Sequence, residues 1–489
     1  MAFEPDELPP DSPCPFSDAS GSHWVPLYRH DCGFDAGVFV DKMMNVIHNP
    51  NIHSSWLFRA DILYDDSAET RQPLSRADAR VQEIEAMALQ RTLIRKLIPR
   101  LERRDKALDQ TCTFYRSVSA EQVTLSLVLY IPHVSCPSQV PFYHPKVGGI
   151  AHVHQWDAAR GCGFITICLL PFDSKDLDCQ KTRRTAYHLL AKLYKHGQSS
   201  VKGGYVKRGN HDCVIAQARL QNRYASLKTK HARHLVDNWQ ESTDATKHVF
   251  EDLSIAAFLI ELWADMYCHA KFPGFVDVGC GNGLLVYILT QEGYSGWGFD
   301  ARCRKSWAQY QTKSLDRPSG QSLEQRLLLP SLALQDSLDS DTHEMQLDEI
   351  HNGIFPPGTF IISNHADQLT PWTPILGAMS RCPFIMIPCC SHNLTGAKYR
   401  APRPRDKSKP KSTYASLVDW VAQIAEDCGW QMETEMLRIP STRNTCLLGR
   451  TMMEGNSKRD FSAIVAKYGG AQGYYANVAR LVKSAPKGH

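Results

Sequence analysis

The sequence predicts an α/β protein in which a mostly parallel sheet, with helices on both faces, follows a mixed α/β region. In the second half of the chain, apolar or β-branched runs such as "GFVDVGC", "GYSGWGFD", "GTFIISN" and "PFIMIPCC" alternate with helical segments. The last two runs, "EMLRIP" and "NTCLLGR", are joined by "PSTRN", which is short enough for an antiparallel hairpin. The length of 489 residues exceeds that of one average domain, so we expect at least two.

We expect four segments along the chain. Residues 1–20 are acidic and proline-rich, which indicates a disordered leader. Residues 21–245 hold a long amphipathic helix at 77–104, strands at 121–132 and 161–172, and a basic helical region at 213–239. Residues 246–455 carry the alternating strands and helices, with a basic flexible loop at 398–412. Residues 456–489 form a C-terminal helix and tail.

Bulk composition excludes several classes of protein. No run of eighteen apolar residues exists and the N-terminus lacks an apolar signal segment, so we expect a cytoplasmic protein without a membrane span. The sixteen cysteines are scattered without a CxxC pair, which favours reduced thiols over a disulfide framework. His152, His154, Cys162 and Cys168 match no compact ligand spacing, so no metal site is predicted. The net charge of +4 is compatible with a nucleic-acid partner.

The stretch "FVDVGCGNGLLVYIL" at 275–289 predicts the cofactor. Its glycines lie at 279, 281 and 283, whereas the dinucleotide-binding pattern would require the third at 284, which is a leucine. An acid two residues before the first glycine, and a second acid ending the next strand in "GWGFD", fit S-adenosylmethionine instead. The predicted cofactor-binding residues are Asp277, Gly279, Cys280, Gly281, Asn282, Gly283, Asp300 and Ala301.

Three stretches carry a resemblance to a known family. "FVDVGCGNGLLVYILTQEGYSGWGFDARCRKSW", "NHADQLTPW" and "LKTKHARHLVDNWQESTDATKHVFEDLSIAAFLIELW" resemble the eukaryotic tRNA (uracil-2′-O-)-methyltransferase family, in patches between 217 and 450. The resemblance implies a Rossmann-like class I methyltransferase sheet and methylation of the ribose of uridine 44 in serine tRNA. It also implies that the N-terminal region grips RNA. The chain ends in "LVKSAPKGH" and lacks the Cys/His zinc module that some members carry, so no structural metal is carried over.

Asn364, His365 and Asp367 are the candidate catalytic residues, because they follow a predicted strand where the substrate would face the methyl group. A ribose 2′-hydroxyl needs a base or an orienting group near neutral pH. His365 or Asp367 can serve as the base, and Asn364 can orient the hydroxyl. Asn364 and Asp367 also suit turn or helix caps, so the choice stays open.

Basic and aromatic residues near the cofactor motif are candidate RNA contacts. Cations can neutralise phosphates, and an exposed Trp307 or Trp372 could stack on a base. The predicted substrate-binding residues are Arg302, Arg304, Lys305 and Trp372, together with Arg403, Arg405 and Lys407 of the basic loop.

Three other functions remain open. Cys389 or Cys390 could attack pyrimidine C6 and so support C5 methylation, although a cysteine pair ending an apolar strand is more often part of the core. A catalytically silent RNA-binding protein could retain the same fold. A small-molecule methyltransferase would differ in the low salt dependence of its substrate binding.

Overall fold

The computed structural model describes residues 3–9, 11–67, 73–101, 104–118, 123–201, 211–314, 317–334, 350–406, 412–453 and 459–483. The chain divides into two compact units, Met1–Arg208 and Gly209–His489. No helix in the described ranges is both long and apolar enough to span a bilayer.

An antiparallel sheet dominates the described part of the N-terminal unit. Its strands are β1 (Asp6–Glu7), β2 (Val25–Cys32), β3 (Leu57–Asp65), β4 (Ala88–Pro99), β5 (Leu108–Val118), β6 (Val123–Pro132), β7 (Val147–Asp157) and β8 (Cys162–Pro171). They pair in the order β1-β2-β8-β7-β6-β5-β4-β3. Helices α1 (Ala36–His48) and α2 (Gln180–Val201) bury apolar side chains such as Phe39 and Leu190 in one core with β2, β7 and β8.

A buried cation ties helix α1 to the sheet. Arg95 on β4 is buried and donates to the side chain of Gln110 on β5. It also donates to the backbone carbonyls of Val46 and Ile47, in the last turn of α1. These carbonyls carry the negative end of the helix dipole, so they stabilise the guanidinium without a carboxylate.

Two predictions for the N-terminal region were wrong. Part of the expected disordered leader is ordered, because β1 pairs with β2 and Phe16 is buried against Trp24. In place of the helix expected at 77–104, the structure has strand β4, which pairs with β3 on one side and β5 on the other. Pairing on both edges outweighs the local helical periodicity of that segment. The strands expected at 121–132 and 161–172 are confirmed as β6 and β8.

The C-terminal unit is built on a second sheet. Its strands are β9 (Phe275–Val278), β10 (Gly296–Asp300), β11 (Leu323–Gln325), β14 (Phe360–Asn364), β15 (Phe384–Ile387), β16 (Trp430–Met436) and β17 (Thr445–Met452). Two short strands, β12 (Leu327–Leu328) and β13 (Ile350–His351), pair separately. The seven strands follow the order β11-β10-β9-β14-β15-β17-β16, parallel from β11 to β15, whereas β17 is antiparallel to both neighbours. The expected terminal hairpin is confirmed.

Helices cover both faces of this sheet. They are α3 (Gln217–Leu227), α4 (Arg233–Asp237), α5 (Ala245–Met266), α6 (Leu284–Gln291), α7 (Trp307–Tyr310), α8 (Ser331–Leu334), α9 (Thr373–Ser380), α10 (Thr413–Asp427), α11 (Phe461–Lys467) and α12 (Tyr474–Lys483). Successive strand residues alternate between two cores: Ile362 packs with α5 and α6, and Ile361 packs with α9 and α10. Buried apolar strands of this kind are typical of a sheet covered on both sides.

The boundary expected near residue 245 lies instead between Arg208 and Gly209. Leu220 and Leu235, on α3 and α4, share a core with α5, and Arg219 and Arg223 pair with Glu261 of α5. The helical region at 213–239 therefore belongs to the C-terminal unit. Beyond residue 455, α11 and α12 are also part of that unit, since Val465 and Val478 lie in its core.

A buried carboxylate anchors the start of the C-terminal unit. Glu435 on β16 is 3% exposed and accepts hydrogen bonds from the backbone N–H groups of Asp212, Cys213 and Val214 at 2.7–2.8 Å. Glu433, two residues earlier on the same strand, pairs instead with Arg450, and both of those side chains are partly exposed.

We expect Glu435→Gln to destabilise the protein by about 2 kcal/mol, because the amide replaces one acceptor with a donor facing N–H groups. Glu433→Gln is the matched control and should cost less than about 1 kcal/mol, because it removes only a partly exposed ion pair. Urea unfolding at one pH measures both variants. Equal losses at the two positions would contradict this role for Glu435.

Candidate active site

The loop after β9 is a turn in which every second residue is glycine. Gly279, Gly281 and Gly283 all have left-handed backbone, with φ of 74°, 52° and 76°. A Cβ atom at Gly283 would lie 2.6 Å from the Leu323 side chain. Glycine is therefore required for the turn that leads into α6, whose first backbone N–H groups face the loop.

Asp300 holds this loop against the end of β10. Its Oδ2 accepts the backbone N–H of Gly281 and its Oδ1 accepts that of Arg302, both at 3.1 Å. A carboxylate has about four acceptor positions, so each oxygen can still accept a hydroxyl. Asp300 lines a cavity of about 150 Å³ with Ala301, Leu328 and Leu369. A carboxylate beside apolar side chains suits the ribose and base of an adenosine.

A second cavity of about 540 Å³ lies next to the first. The residues that line both cavities are Gly279, Gly281, Arg304 and His365. Two adjacent acids of α5, Glu251 and Asp252, line the larger cavity together with Asp277 of β9. Glu251, Asp252 and Asp277 are all buried.

Burial dominates the electrostatics of these acids. It raises the pKa of Asp252 to about 8, and the negative charge of Glu251 adds to the shift, while a hydrogen bond from Asn364 opposes it. The pKa of Asp277 lies well above its usual range, because of burial first and then the charges of Asp252 and Asp300. Burial also raises the pKa of Asp300. Oδ1 of Asp277 is buried without a hydrogen-bond partner in the described residues. The site therefore favours a cationic ligand with a donor group.

His365 and Glu251 form a hydrogen-bonded pair at the edge of both cavities. Nε2 of His365 lies 3.0 Å from Oε1 of Glu251. Nδ1 of His365 is buried and, within the described chain, has no partner. Since an ionised carboxylate only accepts, it favours the tautomer with hydrogen on Nε2 and a free lone pair on Nδ1. His365 has a φ of 50°, a conformation rare for residues other than glycine and often found at functional sites.

Asp367, which lines the smaller cavity, contacts the cysteine pair Cys389 and Cys390, which lines the larger one. The Cys389 thiol donates to Oδ1 of Asp367 at 3.1 Å. The ligand atoms of Asp367, Cys389 and Cys390 lie within 4.8 Å of one another. The pKa of the Cys389 thiol is raised by its hydrogen bond with Cys390 and by burial, so this thiol is held protonated.

The predicted cofactor residues meet at the two cavities. The structure brings together Asp277, Gly279, Cys280, Gly281, Asn282, Asp300 and Ala301 in their linings. Asn282 also caps α6 by accepting the backbone N–H of Leu284, and Gly283 lies at the start of that helix rather than in a lining. Trp307 is buried and donates to the carbonyl oxygen of Gly281 at 2.9 Å, so it supports the loop instead of stacking on a base.

The predicted RNA contacts have mixed outcomes. Trp372 is 0% exposed and donates to the carbonyl oxygen of Leu394, so its expected stacking on a base is wrong. Arg405 pairs with Glu426 and Asp419, which holds it against α10. Arg302 and Arg304 line the smaller cavity, and Lys305 and Arg403 are exposed. Lys407 lies outside the described residues.

Sequence reasoning missed two groups of residues in the larger cavity. Glu241, Lys247, His248, Glu251 and Asp252 come from α5 and the segment before it, and Ser441, Thr442 and Arg443 come from the β16–β17 hairpin. Only the first group contains a sequence pattern from which the site could have been predicted. Two adjacent acids interrupt the apolar run "FEDLSIAAFLIELW", and α5 is buried over most of Val249–Trp263. Charged residues are rarely buried without a functional reason.

We expect the protein without cofactor to lose stability as pH rises from about 4 to 8, because folded Asp252 keeps a proton that the unfolded chain loses. Asp252→Asn cannot ionise, so its stability relative to the unchanged protein should increase from pH 5.5 to pH 8.5. Each unit of pKa difference corresponds to about 1.4 kcal/mol. Urea unfolding at both pH values measures this, with Asp265→Asn on the exposed side of α5 as control. A pH-independent difference for Asp252→Asn would contradict the assignment.

Comparisons with known proteins cover both units. A family model described as "TRM44-like, N-terminal bet v1-like domain" matches residues 5–208, and one described as "Predicted AdoMet-dependent methyltransferase" matches residues 214–320.

Curated relatives are similar over nearly the whole chain. A Neurospora crassa protein named tRNA (uracil-O(2)-)-methyltransferase is 53% identical, covering 94% of this chain and 93% of its own length. Proteins of the same name from Schizosaccharomyces pombe and Saccharomyces cerevisiae are 37% and 34% identical, and the alignments cover 98% and 96% of this chain and 96% and 94% of theirs. The chain therefore belongs to the tRNA (uracil-O(2)-)-methyltransferase family.

Proposed function

We propose that this protein transfers the methyl group of S-adenosylmethionine to the 2′-hydroxyl of a uridine in tRNA. The reaction and the tRNA substrate are those named for its family relatives, and S-adenosylmethionine is the cofactor of its methyltransferase domain. The observation that carries the proposal is the His365–Glu251 pair: His365 lines both cavities, and its Nδ1 has no hydrogen-bond partner among the described residues.

The C-terminal sheet supports a class I methyltransferase fold of the Rossmann-like type. Its first glycine loop follows β9 at the centre of the sheet, and its antiparallel strand β17 lies between β15 and β16. Asp277, Asp300 and Asn364 come from three neighbouring strands and meet at their carboxyl ends. Ligands bind at this edge in sheets of this class.

The residues at this edge fit S-adenosylmethionine, which supplies an electrophilic methyl group on a sulfonium. We assign the ribose hydroxyls to Asp300, whose two oxygens retain acceptor capacity. The unpartnered Oδ1 of Asp277 can accept from the amino group of the methionine part. The excess of buried carboxyls favours a ligand that carries positive charge.

His365 is the residue that we assign as general base. Glu251 fixes Nε2 as a donor, which leaves Nδ1 free to take the proton of the 2′-hydroxyl as the oxygen attacks the methyl group. Asp367 is less suited, because its Oδ1 already accepts the Cys389 thiol and it lines only the smaller cavity. Asn364 donates weakly to Asp252 at 3.4 Å and so positions the carboxyl beside the pair.

The larger cavity has cationic side chains that suit a nucleotide. Lys247, Arg304 and Arg443 line it and can contact phosphates or the uracil carbonyls. We further propose uridine 44 of serine tRNA as the target, on the strength of the sequence resemblance. A nucleophilic role for Cys389 in methylation at pyrimidine C5 is disfavoured, since its thiol is held protonated beside Asp367.

Methyl transfer from labelled S-adenosylmethionine to unmodified tRNA, followed by nucleoside analysis, tests the function. We expect label in 2′-O-methyluridine, with serine tRNA labelled and a mixture lacking serine tRNA unlabelled. Label in 5-methyluridine would overturn the chemistry, and equal labelling of other tRNAs would overturn only the choice of serine tRNA.

The same assay tests the base. We expect His365→Ala to lower kcat by about 10²–10⁴-fold, the usual contribution of a general base, while cofactor binding persists. Glu251→Gln should lower kcat less and move the acidic limb of the pH–rate profile, because Glu251 acts through the imidazole. Asp367→Asn is the control and should keep most activity. If Asp367→Asn lost as much as His365→Ala, the assignment of the base would be wrong.

A further inference from the structure

Helix α2 of the N-terminal unit has a purely basic exposed face. Its sequence, "QKTRRTAYHLLAKLYKHGQSSV", contains no aspartate or glutamate. The exposed basic residues recur at intervals of three or four positions, so they lie on one side of the helix. We call this set the α2 basic stripe: Lys181, Arg184, His188, Lys192 and Lys195.

The opposite face of α2 packs into the core of the N-terminal unit. Thr182, Ala186, Leu190, Leu193 and Gly197 are buried, and a Cβ atom at Gly197 would lie 2.4 Å from the Phe34 ring. The stripe lies outside this packing, because its side chains are exposed, and Lys181 in addition donates to the carbonyl oxygen of Phe142 and lies over its ring. Exposed basic residues are commonly matched by nearby acids, yet no ion pair formed within the described ranges includes a member of the stripe.

The positive charges of α2 are close enough together to change the pKa of a neighbouring histidine. The pKa of His196, next to Lys195, is lowered by burial first and then by the charges of Lys192, Lys42 and Lys195. The stripe extends for about 21 Å, at 1.5 Å of rise per residue from Lys181 to Lys195. A row of this length can contact several successive phosphates of one nucleic-acid backbone.

Two surface clefts adjoin the N-terminal half of the stripe. One has a volume of about 460 Å³ and the other about 280 Å³, and Arg184 and His188 line both. Tyr28 and Tyr187 line the larger cleft, where their rings meet edge to face at 5.8 Å. Tyr28 is buried in the core, so the half-buried Tyr187 is the ring that can contact a base or sugar beside these cations.

We infer that the α2 basic stripe is a docking surface for the tRNA backbone. This inference rests on the proposed function, which supplies tRNA as the polyanionic partner. The charge of the stripe is complementary to phosphates. The clefts beside it have room for nucleosides, which a partner with only a uniformly charged surface would not fill. The contacts are to backbone and shape, so the stripe contributes affinity without reading sequence.

The test uses the full-length protein and unmodified tRNA without cofactor, so that binding is measured independently of catalysis. The variant Arg184→Gln/Lys192→Gln/Lys195→Gln removes three charges from the stripe. We expect its Kd for tRNA to rise at least tenfold at about 0.15 M KCl, and the slope of log Kd against log salt to fall by about 2–3, or nearly one per lost phosphate contact.

Two control variants separate the contribution of the stripe to tRNA affinity from the contribution of the net charge of the protein. Arg100→Gln/Arg116→Gln/Arg160→Gln removes three exposed cations from other parts of the same unit and should change Kd less than about threefold. Arg184→Lys/Lys192→Arg/Lys195→Arg keeps the charges and should keep affinity. Thermal unfolding should be the same for all variants, because the substituted side chains are exposed.

Equal losses in the two neutralised variants, or wild-type affinity in the stripe variant, would overturn the inference. It would also be overturned if the stripe variant kept tRNA binding but lost binding to phosphatidylserine vesicles, since the partner would then be a membrane surface. Failure of the wild-type protein to methylate tRNA that it binds through the stripe would overturn the proposed function and leave the docking surface intact.

Discussion

A cluster of buried carboxyl groups at the carboxyl edge of the C-terminal sheet is the constraint on which the active site depends. Glu251 and Asp252 of α5 and Asp277 of β9 are all buried around one cavity. Burial first, and then the charge of neighbouring acids, raises the pKa of Asp252 and of Asp277, so both side chains favour the protonated form. A cationic cofactor that binds beside these acids favours their ionised form, so the arrangement accounts for recognition of the cofactor.

The surrounding structure holds these acids in place. Helix α5 is buried over most of its length, and α3 pairs with it through Arg219 and Arg223. The glycine loop is fixed separately: Asp300 accepts the N–H of Gly281, and Trp307 donates to the carbonyl of the same residue. The N–H and the hydroxyl of Ser306 both donate to Glu241, which connects the loop region to the segment before α5. The glycine loop and the acid pair are thus parts of one hydrogen-bonded framework.

Local features of this framework were predictable from the sequence. Glycines with positive φ, an acid at the end of β10 and polar residues after β14 each follow from neighbouring residues alone, and the structure brings them together. The partner of His365 was not predictable, because Glu251 is 114 positions away along the chain. The burial of Trp372 and the strand β4 were also missed, since each depends on tertiary packing rather than on local pattern.

Isothermal titration calorimetry of S-adenosylmethionine at pH 7, in two buffers with different ionisation enthalpies, tests the central claim most directly. The account predicts release of roughly one proton per cofactor bound, because a group with a pKa of about 8 ionises when a cation binds beside it. Asp252→Asn should release clearly less. Binding heats that are identical in the two buffers for the wild-type protein would contradict the account, since no acid would then lose its proton when the cofactor binds.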